Sequence, residues 1–240
     1  IMSFLSIICG QIVGHLNKKM PPVVAEEITY KEFFSTLFKD FKIDIKYSLI
    51  FLILFNAFIY FIGDSITSYL YVIISIALFI AFSIDYRYQL IPDETHIIIF
   101  VAGLINFFLN INLWWDYILG ALIGAGIFYG LGLLALLIFK KEGMGFGDVK
   151  LMGAIGFMFG IKYTLVITLV SFFLGAIIGG ILLIFKKKEL DGYIPFGPFI
   201  VIATIALMFI PADTIIEIYI SFCSWLGMKM SDVVYFFMPK

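Results

Sequence analysis

Residues 117–139 read YILGALIGAGIFYGLGLLALLIF, a run of apolar, tyrosine and glycine residues without a single charge. A helix rises about 1.5 Å per residue, so a run of this length crosses the roughly 30 Å hydrocarbon core of a bilayer. The rest of the chain is similar: of 240 residues, 62% are hydrophobic and only 14% are charged, and the mean hydropathy is +1.09. Soluble domains are far more polar. The sequence therefore predicts an all-α, polytopic membrane protein.

Apolar runs recur along the chain, bounded by charges or by turn-forming residues, and they predict about eight transmembrane helices. The run from 149 to 185 is too long for one span, so we predict a break at Gly160-Ile161-Lys162 that gives a short helix and a longer one. The other predicted spans are 1–16, 47–63, 66–84, 94–113, 117–139 and 194–210.

These runs divide the chain into four segments. Residues 1–22 form a first membrane anchor, because the opening apolar stretch has neither the basic start nor the cleavage site of a signal peptide. Residues 23–46 form a short amphipathic cytoplasmic helix that begins with the capping box Thr29-Tyr30-Lys31-Glu32. Residues 47–211 form the membrane core. Residues 212–240 form either a further span or an interfacial segment.

The basic residues indicate the orientation of the bundle. The chain has 16 basic residues. Eight alternating spans place all of them except Lys162, Lys229 and Lys240 in four loops on one side of the membrane. The positive-inside rule makes that side cytoplasmic. The net charge of −1 gives no indication of a nucleic-acid partner.

Two polar clusters at the cytoplasmic boundary carry the candidate chemistry, SIDYRYQLIPD at 83–93 and GMGFGDVK at 143–150. Asp85 closes a span at the negative end of the helix dipole, so capping does not explain it. Asp148 follows Gly145 and Gly147, which leave room for an extended peptide backbone, although an N-cap role explains this aspartate equally well.

Other polar residues have simpler interpretations. We predict that Asp93 caps span four and that Lys150 anchors the boundary, where it could also tune the carboxylate of Asp148. His15 and His96 stand alone, and the two cysteines form no CxxC pair, so the sequence predicts neither a metal site nor a disulfide framework.

Two carboxylates at a wet membrane boundary can share one proton. The ionised carboxylate then acts as base towards water, while the protonated one polarises the scissile carbonyl. This is aspartic protease chemistry, and it needs no metal or other cofactor.

The clusters resemble motifs of the GxGD membrane aspartyl peptidases, specifically the type IV prepilin peptidases. Gly145-Phe146-Gly147-Asp148 matches the GxGD signature, and Ile84-Asp85 followed by Leu90-Ile91-Pro92-Asp93 matches the first aspartate motif. Pro195-Phe196-Gly197-Pro198-Phe199 resembles a segment found late in these enzymes. The resemblance implies a catalytic pair, Asp85 and Asp148, with Gly145, Gly147 and Lys150 supporting the site or binding substrate.

The resemblance further implies an endopeptidase that removes the short basic leader from type IV prepilins or pseudopilins at the cytoplasmic face of the inner membrane. Its partners would be a prepilin-like protein and the lipid bilayer, with no nucleic acid, and the oligomeric state stays open. Many bacterial members carry two CxxC pairs after span one and also N-methylate the new N-terminus. Because residues 18–46 contain no cysteine, methyltransferase activity is doubtful for this chain.

Alternative interpretations remain. An archaeal preflagellin-type peptidase is a near relative with the same chemistry. A non-catalytic transporter or assembly platform would leave both aspartates as boundary residues and caps. A presenilin-like protease that cuts within the bilayer is disfavoured, because it would require the opposite topology.

Overall fold

The computed structural model describes residues 10–11, 13–14, 45–140, 144–184 and 195–237. Within these ranges the chain is all-α, as predicted, and contains no strand. The predicted anchor and amphipathic helix, residues 1–22 and 23–46, lie almost entirely outside the described residues. The described helices are α1 (Ile45–Ile62), α2 (Ile66–Tyr88), α3 (Asp93–Leu109), α4 (Trp114–Phe139), α5 (Phe146–Ile184), α6 (Gly197–Phe209) and α7 (Ala212–Phe237).

Several of these helices are suited to a bilayer by length and composition. Within the described ranges, three segments are long and apolar enough to cross a membrane: 66–88, 111–138 and 146–181. A fourth results if α6 and the first part of α7 are counted as one broken span. The fold is thus that of a helical membrane protein, and the count of eight spans stays a prediction.

The chain forms two compact units, Ile1–Phe209 and Ile210–Lys240. The first contains α1 to α6 together with both candidate aspartates, and the second contains α7. The predicted four-segment division of the chain stays a prediction.

The turn between α2 and α3 is fixed by two residues. Gln89 takes a left-handed φ of 56° and its N–H donates to the carbonyl of Asp85, which ends α2. Pro92, which has no N–H and a fixed φ, then occupies the N-cap position of α3. The prediction that Asp93 caps this helix is therefore wrong: Asp93 is the first residue of α3, and its carboxylate binds Lys150 instead.

The predicted break in the long apolar run is confirmed. Gly160 has a φ of 77° and a ψ of 179° inside α5, a conformation that favours glycine. A side chain at this position would also collide with the carboxylate of Asp116 on α4. That carboxylate accepts a hydrogen bond of 3.2 Å from the N–H of Ile161, which the break has left without an intrahelical partner.

Helices α4 and α5 pack backbone to backbone through glycines. A Cβ added at Gly120 would collide with the carbonyl oxygen of Gly156, and a Cβ at Gly156 would collide with that of Gly120. A Cβ at Gly124 would lie 2.6 Å from the carbonyl oxygen of Met152. Small residues let membrane helices approach this closely.

These contacts also show that α4 and α5 are antiparallel, because Gly120 faces Gly156 while Gly124 faces Met152. The start of α5, with Asp148, therefore lies towards the end of α4. Trp114 and Trp115, both about half exposed, lie at the opposite end near the α5 break. The bundle thus has an aspartate end and a tryptophan end, as expected from the span order.

Candidate active site

Asp85 lies one turn before the end of α2 and is only 5% exposed. The start of α6 closes over it: a Cβ added at Gly197 would lie 2.5 Å from Asp85 Oδ2 and 3.1 Å from its Cγ. The backbone N–H of Gly197 also faces this carboxyl group. A glycine and a helix N-terminus therefore stand next to the carboxylate, and the helix dipole favours a negative charge there.

Asp148 is the third residue of α5 and is 4% exposed. Its backbone N–H donates to the carbonyl of Gly145 at 3.1 Å, and the N–H of Gly145 faces its carboxyl group. Asp148 therefore does not occupy the N-cap position that the sequence offered as an alternative. Its side chain reaches back over the first turn of the helix, as the acidic residue of a capping box does.

Both aspartates line one cavity of about 270 Å³, which we call the aspartyl pocket. The predicted supporting residues are at the same place, so the fold brings together all five residues singled out from the sequence. The remaining pocket residues come from the turn between α2 and α3 and from the start of α5. The full lining is Asp85, Gln89, Leu90, Ile91, Asp93, Gly145, Phe146, Gly147, Asp148 and Lys150.

Each aspartate has a buried oxygen without a hydrogen-bond partner among the described residues, Asp85 Oδ2 and Asp148 Oδ1. Buried polar atoms are nearly always hydrogen-bonded, so two such oxygens on residues that line one small cavity are unusual. The charge of Asp85 also acts on Asp148. Two carboxylates that lie close enough to interact strongly titrate as a coupled unit and can hold one proton between them.

Lys150 belongs to a polar group on the rim of the pocket. Its ammonium donates a 2.8 Å hydrogen bond to Asp93 Oδ1, which holds the pKa of the Asp93 carboxyl below its usual range. The same ammonium lies 5.5 Å from the centre of the Phe146 ring. Beneath the pair, His96 is buried, and its Nδ1 lies 3.4 Å from Asp93 Oδ1. Lys150 therefore ties the second turn of α5 to the first turn of α3.

Two residues that the sequence reasoning did not select contribute to the site. Ile91 packs between the elements that hold the aspartates: a Cβ at Gly147 would lie 3.2 Å from Ile91 Cβ, and one at Gly197 would lie 3.1 Å from Ile91 Cδ1. Gly197 contacts Asp85 as described above. Both lie within motifs noted in the sequence, but nothing in a linear motif shows that residues 91 and 197 meet.

The described part of the chain contains no group of three or more histidine, cysteine, aspartate or glutamate side chains that could hold a metal ion. The chemistry that the site offers comes from a carboxylate pair, glycine backbone and one lysine. Such a pair can activate water and polarise a carbonyl group.

The fold and the pocket thus define a helical membrane protein with paired aspartates. Residues 72–180, which include both of them, match the type IV leader peptidase family. No solved structure matches the chain.

Several curated proteins are similar to part of the chain. The chain is 36% identical over 121 residues to a prepilin leader peptidase/N-methyltransferase of Xanthomonas campestris, which covers 50% of this chain and 42% of the relative. Proteins of the same name from Legionella pneumophila and Pseudomonas aeruginosa are 37% and 34% identical over 143 and 147 residues. Those matches cover 58% and 59% of this chain and 48% and 49% of the relatives. The chain therefore spans about half the length of the curated relatives it matches.

Proposed function

We propose that the chain is an aspartyl endopeptidase of the membrane that removes the basic leader from prepilin-like proteins. The observation that carries this proposal is that Asp85 and Asp148 line one pocket, each with a buried oxygen that lacks a partner among the described residues. The family match over residues 72–180 and the name of the relatives support the same activity.

The proposed reaction uses the two carboxyl groups and one water molecule. The ionised aspartate takes a proton from water, whose oxygen attacks the carbonyl carbon of the scissile bond. The protonated aspartate donates its proton to the carbonyl oxygen. The tetrahedral intermediate then collapses and the C–N bond breaks. The leaving amine takes a proton from the carboxyl group that received one from water, and a hydroxyl group of the intermediate returns a proton to the other aspartate as the carbonyl re-forms.

Glycines on both sides of the pair suit this reaction. Gly145 and Gly147 line the aspartyl pocket without side chains, so an extended substrate backbone can approach Asp148 closely. Lys150 lies on the rim of the pocket, where its ammonium group is bound to Asp93. We assign no fixed proton to either aspartate, because the coupled pair has only joint titration steps.

The relatives are named for two activities, leader peptidase and N-methyltransferase. The described site supports the peptidase activity. The pair of carboxylates explains hydrolysis of a peptide bond. We therefore confine the proposal to proteolysis.

We further propose that the aspartate end of the bundle faces the cytoplasm at the inner membrane. Arg87, Lys140 and Lys150 are exposed at this end, whereas Lys162 lies beyond the α5 break at the other. Retention of basic residues on the cytoplasmic side favours this orientation. Single cysteines at positions 140 and 162, in a chain with Cys9 and Cys223 replaced by serine, test it: an impermeant maleimide added to intact cells should label only position 162.

The activity itself is tested by incubating the purified full chain in liposomes with a prepilin-like substrate that has a basic leader. Wild type should release the leader at a single bond, identified by mass spectrometry, and a chelator should not change the rate. Asp85→Asn and Asp148→Asn should each abolish cleavage, whereas Asp64→Asn, an aspartate outside the pocket, should retain it. An intact, folded wild type that cuts no such substrate would contradict the proposal and favour a transporter or assembly role.

A further inference from the structure

His96 is a buried side chain close to the aspartyl pocket that the proposed reaction does not use. It is 7% exposed, and neither of its ring nitrogens has a hydrogen-bond partner among the described residues. The other polar residue on the same buried face of the helix, Thr95, is satisfied, because its hydroxyl group donates a 2.6 Å hydrogen bond to the carbonyl of Pro92. The buried residues of α3 are Thr95, His96, Ile99, Ala102 and Gly103.

Stability does not explain an imidazole at this position. The spacing of the buried residues of α3 is that of the apolar face of a helix, where a leucine of similar volume fills the same space. A buried polar group that lacks a hydrogen bond costs free energy, which an apolar side chain does not. The contribution of His96 is therefore to be found in the groups that its ring faces.

Two groups face the ring. Asp93, one turn earlier on α3, places its Oδ1 3.4 Å from His96 Nδ1, although the two atoms are not aligned for a hydrogen bond. The backbone of Gly147, in the first turn of α5, faces the imidazole as well. Because Gly147 directly precedes Asp148, the ring of His96 reaches from α3 to the peptide unit that leads into one of the two aspartates.

Gly147 is contacted from the same segment by a second side chain. A Cβ added at Gly147 would lie 3.2 Å from Ile91 Cβ, so its backbone lies against Ile91. Ile91 and His96 both belong to the stretch of chain that directly follows Asp85, the turn after α2 and the first turn of α3. The backbone in front of Asp148 is thus held by two side chains of the segment that carries Asp85.

We propose that His96 is a positioning residue for the aspartate pair. Its imidazole holds the backbone of Gly147, and with it the carboxylate of Asp148, in place relative to Asp85. His96 is not one of the described residues that line the aspartyl pocket, so it acts through Gly147 and not by contact with the reacting atoms. This inference rests on the proposed function and extends it to a residue outside the pocket.

The experiment compares His96→Leu and His96→Gln with wild type in cleavage of a soluble peptide that contains the cleavage site. A misplacement of about 1 Å costs roughly a hundredfold in rate, so a shift of about half that size costs about tenfold. We expect His96→Leu to lower kcat by about tenfold with little change in KM. His96→Gln should recover most of the loss, because its amide keeps a polar group that reaches the backbone of Gly147.

Thermal unfolding in detergent separates positioning from a structural role. His96→Leu removes two unpaired buried nitrogens, so its unfolding midpoint should equal or exceed that of wild type although kcat falls. If leucine does not fit the space, His96→Met supplies a flexible apolar side chain for the same comparison. A residue with only a structural role would lose stability and activity together.

Asn106→Leu is the matched control. Asn106 also lies on α3 and donates a 3.1 Å hydrogen bond to the backbone of α5, at the carbonyl of Met158. It lies ten residues after His96, or about 15 Å further along the helix. Asn106→Leu should lower the unfolding midpoint and keep the wild-type kcat. Wild-type kcat in a folded His96→Leu variant, or an equal loss of kcat in Asn106→Leu, would overturn the proposal.

A second readout does not depend on turnover. In a chain whose natural cysteines are replaced by serine, Asp85→Cys and Asp148→Cys are combined, and the rate at which a short bifunctional thiol reagent joins them is measured. His96→Leu should slow this crosslinking severalfold, whereas Asn106→Leu should not. Equal rates with histidine and leucine at position 96 would overturn the proposal. If wild type cuts no peptide, the proposed function fails, and the crosslinking rate still decides whether His96 positions the pair.

Discussion

Replacement of Gly197 by alanine tests the placement of Asp85 most sharply. The new Cβ would lie 2.5 Å from Asp85 Oδ2, and it would lie 3.1 Å from both Asp85 Cγ and Ile91 Cδ1. The backbone at Gly197 is not left-handed, so the added methyl group causes no strain of its own. The effect of the substitution is therefore a displacement of the carboxylate.

The size of this displacement follows from the contact distance. Carbon and oxygen atoms in contact are normally separated by about 3.4 Å or more, so Oδ2 must move by about 0.9 Å. A misplacement of about 1 Å at a reacting group costs roughly a hundredfold in rate. We expect kcat to fall by about that factor, with a smaller change in stability.

The assay is steady-state cleavage of a soluble peptide that contains the cleavage site, with thermal unfolding in detergent as a check on the fold. Gly126→Ala is the matched control, because a Cβ there would meet nothing within 4 Å. Gly147→Ala should have an intermediate effect, since its Cβ would lie 3.2 Å from Ile91 Cβ and does not meet a carboxylate. Wild-type kcat in a folded Gly197→Ala variant would refute the account of Asp85.

Three further predictions concern the scaffold around the site. Gly120→Ala should destabilise the protein by about 1–3 kcal/mol, because its Cβ collides with the backbone of α5. Asp116→Ala removes the acceptor for the N–H of Ile161 and should cost about 0.5–2 kcal/mol, as the loss of a helix cap does. Asp93→Asn removes the exposed ion pair with Lys150 and should cost a few tenths of a kcal/mol at neutral pH. The pKa of the Asp93 carboxyl is lowered in the folded state. The stability difference between wild type and Asp93→Asn should therefore be fully present above pH 3.8, the ordinary pKa of aspartate, and should vanish as the pH falls through the lower pKa of the folded state.

All three are measured as unfolding free energies or midpoints in detergent. Gly130→Ala, on the same helix but in open space, is the control for the first, and Asp64→Ala is the control for the second. A Gly120→Ala variant as stable as the Gly130→Ala control would contradict the close packing of α4 and α5. If Asp93→Asn lowers the unfolding free energy by the same amount at pH 7 and at pH 3, the ion pair with Lys150 is not the cause of the loss.

The sequence predicted the features that depend on local pattern. Apolar runs gave helices near 47–63 and 117–139, and Gly160 was recognised as the break because the run around it was too long for one span. The two aspartate clusters were recognisable because carboxylates at span ends are few in so apolar a chain. Their position on the same side followed from counting alternating spans.

Features that depend on contacts between distant segments were not predictable from one chain. Proline at position 92 took the N-cap position, so Asp93 was free to pair with Lys150, 57 residues away. The closure of Gly197 over Asp85 and the contact of Asp116 with the α5 break likewise depend on how helices pack. A linear pattern records which residues are present, but it does not record which side chains meet.

The central claim is that Asp85 and Asp148 act as one unit in hydrolysis. Its most direct test is a double-mutant cycle on cleavage of the same soluble peptide, with Asp85→Asn, Asp148→Asn and the double variant measured beside wild type. Residues of one catalytic unit are strongly non-additive, so each single variant should be as inactive as the double. Substantial turnover in either folded single variant, or losses that multiply in the double, would contradict the account.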